Sequence, residues 1–396
     1  MNNRRAIVIG GSVAGLLAAR VLSDIFREVV IFERDHFPDG PVHRKGVPQS
    51  RHVHVLLARG LEVLEELFPG LSEELIELGA PVSKPEQLLY WIGGGYFCNS
   101  AYPHRSITCS RPLLETVIRS RVLACPRVRA SDGTPVVALA TSGHSARVSG
   151  VRLATGQSGV LGDLVVDATG RGSHASAWIQ AMGYPTPREE RVKAGMGYSS
   201  RHYRREPDQL GGKHFLALGA TPACRRGAVV SAQEGDRWIV TLAGYAGDHP
   251  PTDHSGFVAF AATLGAPDVH ELISPAEPID DPVPTRYPAS QRHHYEELTR
   301  FPLGLLIFGD AFCNFNPVYG QGMTVAALQA LALRETLATG IEHLAPRFFG
   351  RAGKILDAPW TLATGSDRQI LEPQTSRPVL TRALEWYLNR LHVAAR

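Results

Sequence analysis

The first 33 residues carry the pattern that most constrains the fold of this chain. Residues 6–9 form a continuous apolar run, residues 10–15 have the sequence GGSVAG, residues 16–26 have a helical composition, and residues 29–32 form a second apolar run that ends at Glu33. A strand, a glycine-rich turn, a helix and a second strand with an acid at its tip, within about 30 residues, are typical of a dinucleotide-binding βαβ unit. The pattern therefore predicts a Rossmann-like α/β fold, and the alternative is a glycine-rich turn in an unrelated α/β protein.

The glycine-rich turn supplies the contacts that a pyrophosphate needs. Its glycines allow a tight turn, and the N–H groups of the following helix face the phosphates. Ser12 stands where the second glycine of such a fingerprint usually lies, but a serine leaves room for the pyrophosphate and its hydroxyl could add a hydrogen bond. We expect Glu33 to bond the ribose hydroxyls. The predicted cofactor contacts in this unit are Gly10, Ser12, Val13, Ala14, Gly15, Glu33 and Arg34.

A second strand-to-helix crossing lies late in the chain. The apolar run at 303–308 predicts a buried strand, residues 324–337 predict a helix, and residues 309–323 between them have the sequence GDAFCNFNPVYGQGM. Asp310, at the strand tip, can accept hydrogen bonds from sugar-like hydroxyls. The glycines near the helix start let backbone N–H groups approach a flat, electron-rich ligand closely.

This second strand-to-helix connection resembles the second FAD-binding motif of the flavoprotein aromatic hydroxylases. Its amino-acid sequence is most similar to that of the squalene-monooxygenase-like and polyether-epoxidase-like branch. The resemblance implies that Asp310 holds the ribityl chain of FAD and that the loop after Pro317 lies beside the isoalloxazine ring. It identifies no catalytic side chain, only backbone groups on the flavin side. The residues that it assigns to the flavin are Asp310, Pro317, Gly320, Gln321, Gly322 and Met323.

Residues 46–54, with the sequence GVPQSRHVH, resemble a loop and helix start that the same branch lays along the flavin. The resemblance makes Arg51 a candidate FAD contact. The apolar spacing in residues 51–67 predicts a helix. His52 and His54 are two residues apart and could not share a face of that helix, which argues against a joint metal site.

Two more segments resemble flavin-binding elements of the same family. Arg111, in the first turn of a capped helix, matches an Arg-x-x-Leu segment whose arginine touches the flavin from the far side; the alternative is a surface helix with a solvated arginine. Residues 162–173 form an apolar strand that ends at Asp167 and a turn that contains Gly170. They resemble the "DG" motif, which supports FAD and a transient nicotinamide, but Thr169 replaces the usual aspartate, so the docking of NADPH is left open.

The predicted fold class is α/β: a Rossmann-like FAD-binding domain of the para-hydroxybenzoate-hydroxylase type, a second β-sheet substrate domain and C-terminal helices. We expect the FAD-binding domain to comprise residues 1–80, 106–183 (with a β-meander) and 301–345, the substrate domain residues 81–105 and 184–300, and the C-terminal helices residues 346–396. The last helix, predicted at 379–393, has an apolar stripe that favours docking on the core. A cavity lid or a membrane-surface helix is the alternative.

Composition excludes several other classes. The 396 residues carry a net charge of +3, which gives no argument for nucleic acid as a partner. The five cysteines are odd in number and contain no C-x-x-C pair, so they are typical of reduced residues in a cytoplasmic protein rather than of a disulfide set or metal site. No apolar run reaches the roughly 18 residues of a transmembrane helix.

The resemblance implies an FAD-dependent monooxygenase that reduces FAD, captures O₂ as a flavin C4a-hydroperoxide and transfers one oxygen atom to a lipophilic small molecule. Epoxidation is favoured over ring hydroxylation because no base for a phenol is evident, and secondary metabolism is the expected setting. Only one dinucleotide fingerprint exists, so NADPH or NADH would bind transiently or a separate flavin reductase would supply electrons. The oligomeric state is not predicted.

Three alternatives share this fold. A flavin-dependent halogenase would be expected to have a Trp-x-Trp-x-x-Pro element and a tunnel lysine, but the five tryptophans are nowhere two apart and lysines are scarce. A prenyl-chain reductase would turn over without incorporating oxygen. A non-catalytic prenyl-binding protein would take up no FAD.

Overall fold

The computed structural model describes residues 4–97, 106–142, 147–154, 156, 159–372, 386, 387, 390 and 394. Its helices are α1 (Val13–Leu22), α2 (Ala58–Leu67), α3 (Leu71–Glu77), α4 (Arg111–Leu123), α5 (Ala175–Ala181), α6 (His254–Ala261), α7 (Asp268–Ile273), α8 (Gly322–Ala338) and α9 (Leu344–Leu371). Its strands are β1 (Arg5–Ile9), β2 (Glu28–Phe32), β3 (Val82–Ser83), β4 (Leu88–Ile92), β5 (Gly95–Tyr96), β6 (Ser106–Ile107), β7 (Val128–Ser131), β8 (Val136–Ser142), β9 (Arg147–Leu153), β10 (Val160–Leu161), β11 (Leu164–Asp167), β12 (Arg188–Arg204), β13 (Phe215–Leu218), β14 (Arg226–Gln233), β15 (Arg237–Gly244), β16 (Val283–His294), β17 (Leu305–Ile307) and β18 (Cys313–Asn314).

A five-stranded parallel sheet carries the edge at which the candidate site lies. Its order is β17-β11-β1-β2-β7, so strands from the beginning, middle and end of the chain lie side by side. Parallel strands covered on both faces are continuously apolar, which explains the buried runs of β1, β11 and β17. Because all five strands run the same way, the turns after β1, β2, β11 and β17 meet at one edge, as in the predicted Rossmann-like fold.

An eight-stranded sheet, in the order β18-β16-β12-β15-β14-β13-β4-β5, forms the second layer. It is antiparallel except for the pair of β13 with β4. The second β-sheet that the sequence predicted is present, but the long ribbon in which β12 pairs with β16 was not predicted. A third, smaller sheet, in the order β10-β9-β8, matches the predicted meander.

Helices α8 and α9 close the core at the carboxyl-terminal side of the described chain. Helix α8 packs against α1 and α2, and α9 packs against α8. Aromatic side chains fill the space between β17 and α9, where the ring of Phe308 stacks on that of Phe348 at 5.9 Å. Within the described residues, none of the helices has both the length and the apolar character needed to cross a membrane. The predicted helix at 379–393 lies outside the described residues, apart from isolated positions.

The predicted helix at 51–67 is wrong in its first half. Residues 48–51 form a short 3-10 turn, the next residues are extended, and α2 begins only at Ala58. The extended backbone is held by the second sheet: the N–H of Val53 donates to Thr241 Oγ1 at 3.2 Å. These tertiary hydrogen bonds outweigh a weak local helix preference. The two histidines of this segment therefore lie on a strand-like stretch beside the sheet.

Candidate active site

The turn after β1 has the shape that a pyrophosphate site requires. Gly10 has a φ of +101°, and a side chain there would meet the backbone of Ala168 at 2.6 Å. A side chain at Gly15 would come within 1.8 Å of the carbonyl oxygen of Gly10. Gly10 therefore requires glycine for its backbone conformation and for space, whereas Gly15, within α1, requires it for space alone. The result is that α1 starts directly against the end of β1.

Two helix N-termini open into one cavity. The first residues of α1 line it from one side, and Gly320, Gly322 and Met323, at the start of α8, line it from another. First-turn N–H groups have no acceptor within their own helix, so each terminus offers several free donors and a partial positive charge. Gly320 has a φ of +62° after the 3-10 turn Pro317–Tyr319, which turns the backbone into α8. The cavity is thus suited to a ligand that carries or gains negative charge.

Asp310 lies in this cavity with an unsatisfied carboxylate. Among the described residues, no group donates a hydrogen bond to it; its interactions there are with the charges of Arg171 and Arg111. Burial raises the pKa of Asp310 above its usual range, although the two guanidinium groups act in the opposite direction. Asp310 is only partly buried and its carboxylate faces the cavity, where the hydroxyl groups of a ligand could donate to it.

A buried charge network lies behind the pyrophosphate turn. The hydroxyl of Ser12 donates to Glu115 at 2.7 Å and accepts from Arg111 at 2.9 Å, so it is turned toward the protein rather than available to a phosphate. Arg44 donates to Glu115 through two nitrogens, at 3.0 and 2.7 Å, and lies 3.1 Å from Glu33. The sequence interpretation missed Arg44 and Glu115, because a basic loop residue and a helix glutamate give no local signal of pairing.

Glu33 is already engaged by the protein. One carboxylate oxygen accepts from the N–H of Gly11 at 2.7 Å and the other from the N–H of Asp35 at 3.0 Å. It thereby holds the glycine-rich turn against the tip of β2. Its predicted bond to ribose hydroxyls stays a prediction, and the neighbouring Arg34 is exposed.

Asp167 has a structural role in its own turn. One carboxylate oxygen accepts from the N–H and the hydroxyl of Thr169, at 2.9 and 2.6 Å, and the other accepts from Ser173 at 2.6 Å. The turn then presents Gly170 and Arg171 to the cavity. The sequence interpretation did not single out Arg171, although it directly follows the predicted glycine.

The structure brings most, but not all, of the predicted cofactor residues to the cavity wall. The extended segment at residues 52–55 lines the cavity, whereas Arg51 is exposed and does not. The predicted residues that line it are Ser12, Val13, Ala14, Arg111, Gly170, Asp310, Pro317, Gly320, Gly322 and Met323. Those that do not line it are Gly10, Gly15, Glu33, Arg34, Arg51, Asp167 and Gln321.

Toward the eight-stranded sheet the cavity becomes apolar. The side chains there come from β12, β14, β15 and the segment before α8, and are Met196, Tyr198, Ala228, Val229, Ala243, Phe315 and Val318. Of the residues of β16, Tyr287 alone lines the cavity. Its hydroxyl donates to Asn314 at 2.8 Å, and the guanidinium of Arg171 lies 5.3 Å from the centre of its ring.

Two neutral imidazoles mark the border between the polar and apolar halves. The ring nitrogens of His52 pair with Ser200 at 2.8 Å and with Thr285 at 2.6 Å. Burial lowers the pKa of His52 to about 4. His54 pairs with the carbonyl oxygen of His52 at 3.0 Å, and burial lowers its pKa to about 3. Both rings are therefore uncharged at neutral pH, and no metal-binding group of acids, histidines and cysteines occurs in the described part of the chain.

The donor set fits FAD. The N-terminus of α1 and Arg111 would face the pyrophosphate, and the carboxylate of Asp310 would accept from the ribityl hydroxyls. The backbone from Pro317 to Gly322 would lie along the ring, where glycine allows close approach. The observation that decides the fit is the donorless Asp310 carboxylate between two helix N-termini, since a purely structural aspartate would have protein partners.

Comparisons with known proteins agree with this geometry. No protein-family model matches the chain. It is 37% identical over 346 residues to Protein Rv3254 of Mycobacterium tuberculosis, an alignment that covers 84% of this chain and 72% of that protein.

Solved structures with the same fold include the flavin-dependent brominase Bmp2 (TM-score 0.71, 16% identity, 91% of this chain and 86% of that one). They also include PqsL, a probable FAD-dependent monooxygenase from Pseudomonas aeruginosa (TM-score 0.69, 18% identity, 93% and 98%). A third is 2-methyl-3-hydroxypyridine-5-carboxylic acid oxygenase (TM-score 0.66, 19% identity, 93% and 91%). At these identities the likeness establishes the fold, and the predicted flavoprotein fold is confirmed.

Proposed function

The chain belongs to the same family as the mycobacterial Protein Rv3254, and we propose that it is an FAD-dependent monooxygenase that acts on a lipophilic small molecule. The observation that carries the proposal is a single cavity with two halves. One half presents Asp310 and two helix N-termini, and the other is an apolar face of the eight-stranded sheet. A flavin in the first half would meet a substrate in the second, and the Pro317 loop lines the same cavity.

The protein's own contribution would be binding, orientation and exclusion of water. When bound, FAD supplies the redox chemistry and the activation of O₂. The N–H groups at the start of α8 would stabilise negative charge on the reduced ring system. The apolar wall formed by residues such as Met196, Phe315 and Val318 would keep water from the reacting oxygen and hold the substrate by burial of its surface.

Among the described residues that line the cavity, the two histidines offer no effective base to a substrate. Both nitrogens of His52 are occupied, and an imidazole with a pKa of about 3 or 4, as in His54 and His52, is a poor proton acceptor near pH 7. A phenol hydroxylation gains from a base that forms the phenolate, whereas an alkene epoxidation needs none. This supports epoxidation, or oxidation of an already activated carbon, ahead of phenol hydroxylation.

A halogenase is the second candidate, because the brominase Bmp2 has the same fold. We place it behind the monooxygenase because no lysine is among the described residues that line the cavity. A prenyl-chain reductase would fit the same apolar half. It is separated from an oxygenase by whether turnover needs O₂ and incorporates it.

The electron donor belongs to the same proposal. We propose that NADPH or NADH binds transiently, or that a separate flavin reductase delivers electrons. A cytoplasmic location and a role in secondary metabolism are likewise proposed from the sequence.

The test begins with the purified protein. A flavin absorption spectrum and stoichiometric FAD are expected, and oxidation of NADPH should be stimulated by one class among prenylated, polyene and phenolic compounds. Turnover under ¹⁸O₂ should place one labelled atom in the product. The Asp310→Asn variant is the matched control, since it keeps the side-chain shape and removes the charge. A wild-type protein that binds no FAD, or a product formed under ¹⁸O₂ that contains no ¹⁸O, would refute the assignment.

A further inference from the structure

A buried polar hub lies beneath the Pro317 loop. Asp367, near the end of α9, is completely buried, and its Oδ1 atom accepts three hydrogen bonds. The donors are the side-chain amide of Asn316 at 2.8 Å and the hydroxyls of Tyr319 at 2.7 Å and Tyr245 at 3.2 Å. The amide also lies 3.3 Å from the Tyr245 hydroxyl. One oxygen atom thus joins three parts of the fold: α9, the loop before α8 and the residue after β15.

The hub holds the loop whose backbone faces the cavity. Asn316 is completely buried, its own N–H donates to Ser290 at 3.0 Å, and its side-chain oxygen accepts from the N–H of Val318 at 3.3 Å. Pro317 and Val318 line the cavity between these anchors. Any displacement of Asn316 or Tyr319 would therefore move the backbone along which we place the flavin ring.

Asp367 is not explained by stability alone. Its second oxygen, Oδ2, is buried without a partner, and burial raises the pKa of this carboxyl. A buried carboxylate that uses one oxygen for three donors and leaves the other unsatisfied lowers the stability of the folded state. An apolar residue of similar volume at this position would often give a more stable protein. The arrangement instead gives one fixed position to three donors, two of which belong to the loop.

We infer that Asp367 is a positioning residue that fixes the loop at residues 316–322 against the cavity. Through this loop, the end of α9 affects the affinity for FAD. The inference rests on the proposed function for its consequence, FAD binding, but the loop's order is a property of the protein without cofactor. Asp367 does not itself line the cavity; of its described hydrogen-bond partners Asn316 does, and Tyr319 lies in the loop between the lining residues Val318 and Gly320.

The test measures both properties separately. Hydrogen–deuterium exchange of the cofactor-free protein should be at least tenfold faster at the amides of residues 318–320 in Asp367→Ala than in the wild type. Tyr319→Phe, which removes the 2.7 Å bond to Asp367 and the 3.4 Å contact with the Tyr245 hydroxyl but keeps the Asn316 bond, should give a smaller increase in the same segment. Thr364→Ala is the matched control: this buried residue of α9 bonds only within its helix, to the Trp360 carbonyl oxygen, and should leave the loop unchanged.

The second measurement is a titration with FAD. Asp367→Ala should raise the dissociation constant at least tenfold and blur the resolved bands of the bound-flavin spectrum, while Thr364→Ala should do neither. Loop exchange within twofold of the wild type in Asp367→Ala, or an equal increase in Thr364→Ala, would overturn the inference. A wild type that binds no FAD would refute the proposed function instead, and the exchange experiment would still decide the role of Asp367.

Discussion

Replacement of Asp310 by asparagine should separate the affinity for FAD from the stability of the protein. The carboxylate has no donor in the described structure, so in the cofactor-free protein its negative charge is only partly compensated by Arg111 and Arg171. Asparagine keeps an oxygen acceptor but loses the charge, so a charge-assisted bond to a ribityl hydroxyl, worth about 1.5–3 kcal/mol, becomes a neutral bond worth about 0.5–1.5 kcal/mol. For a difference of about 1–1.5 kcal/mol, at about 1.4 kcal/mol per tenfold change, the dissociation constant for FAD should rise by roughly 5- to 12-fold.

The same substitution should not destabilise the cofactor-free protein. The pKa of Asp310 is raised in the folded state, so the folded protein holds this proton more tightly than the unfolded chain does. Its ionisation therefore lowers stability as the pH rises above the ordinary aspartate range near 3.8, and stability is recovered on acidification. Asparagine does not ionise, so the cofactor-free variant should melt at the same or a higher temperature than the wild type at pH 7.

The assay pairs fluorescence titration with FAD and thermal unfolding of the cofactor-free protein. Asp39→Asn, at an exposed position, is the matched control and should change neither quantity. An Asp310→Asn protein that binds FAD as tightly as the wild type would refute the assigned role. A large drop in melting temperature would show instead that the carboxylate is a structural anchor.

Three other predictions concern the same edge of the sheet. Gly15→Ala should abolish FAD binding and reduce the yield of folded protein, because the added methyl group would overlap the preceding turn. Gly172→Ala, whose methyl group would meet nothing within 4 Å, should behave as the wild type. Solubility and flavin content measure both effects. Glu33→Ala should weaken FAD binding and lower the free energy of unfolding by about 1–3 kcal/mol through loss of buried bonds to the glycine-rich turn, as measured by urea unfolding. The pKa of His52 is lowered to about 4, so the stability that its neutral form contributes should be lost as the pH falls from about 6.5 toward 4, by about 1.4 kcal/mol per pH unit. His52→Gln should flatten the curve of unfolding free energy against pH in that window. His36→Gln, at an exposed side chain, should leave the curve unchanged.

The sequence predicted those parts of the site that depend on local conformation. The glycine-rich turn, the strand tip at Asp310 and the cap before α4 each combine a residue preference with a neighbouring apolar run. Ser110 is the residue that caps α4, with its side chain accepting from the N–H of Leu113. Such features can be predicted because the atoms that interact are only a few residues apart.

The parts that were missed depend on contacts between distant segments. The hydroxyl of Ser12 donates to Glu115, about a hundred residues later in the chain. The sequence around either residue contains no pattern that predicts this hydrogen bond. The extended stretch before α2 is set by hydroxyls of the eight-stranded sheet rather than by its own residues. The strand β12 did carry a signal, since Val192, Ala194 and Met196 alternate with exposed residues.

The interleaved order of the parallel sheet has a consequence for biosynthesis. β1 can pair with β2 as soon as both have left the ribosome, but its other edge waits for β11, and β11 in turn waits for β17. Until β17 has been made, a nascent chain therefore carries an unpaired apolar strand edge that is exposed to mispairing. Because the turn after β1 and the turn after β17 lie far apart in the chain, a bound FAD that contacts both would stabilise the fold only after both have been made.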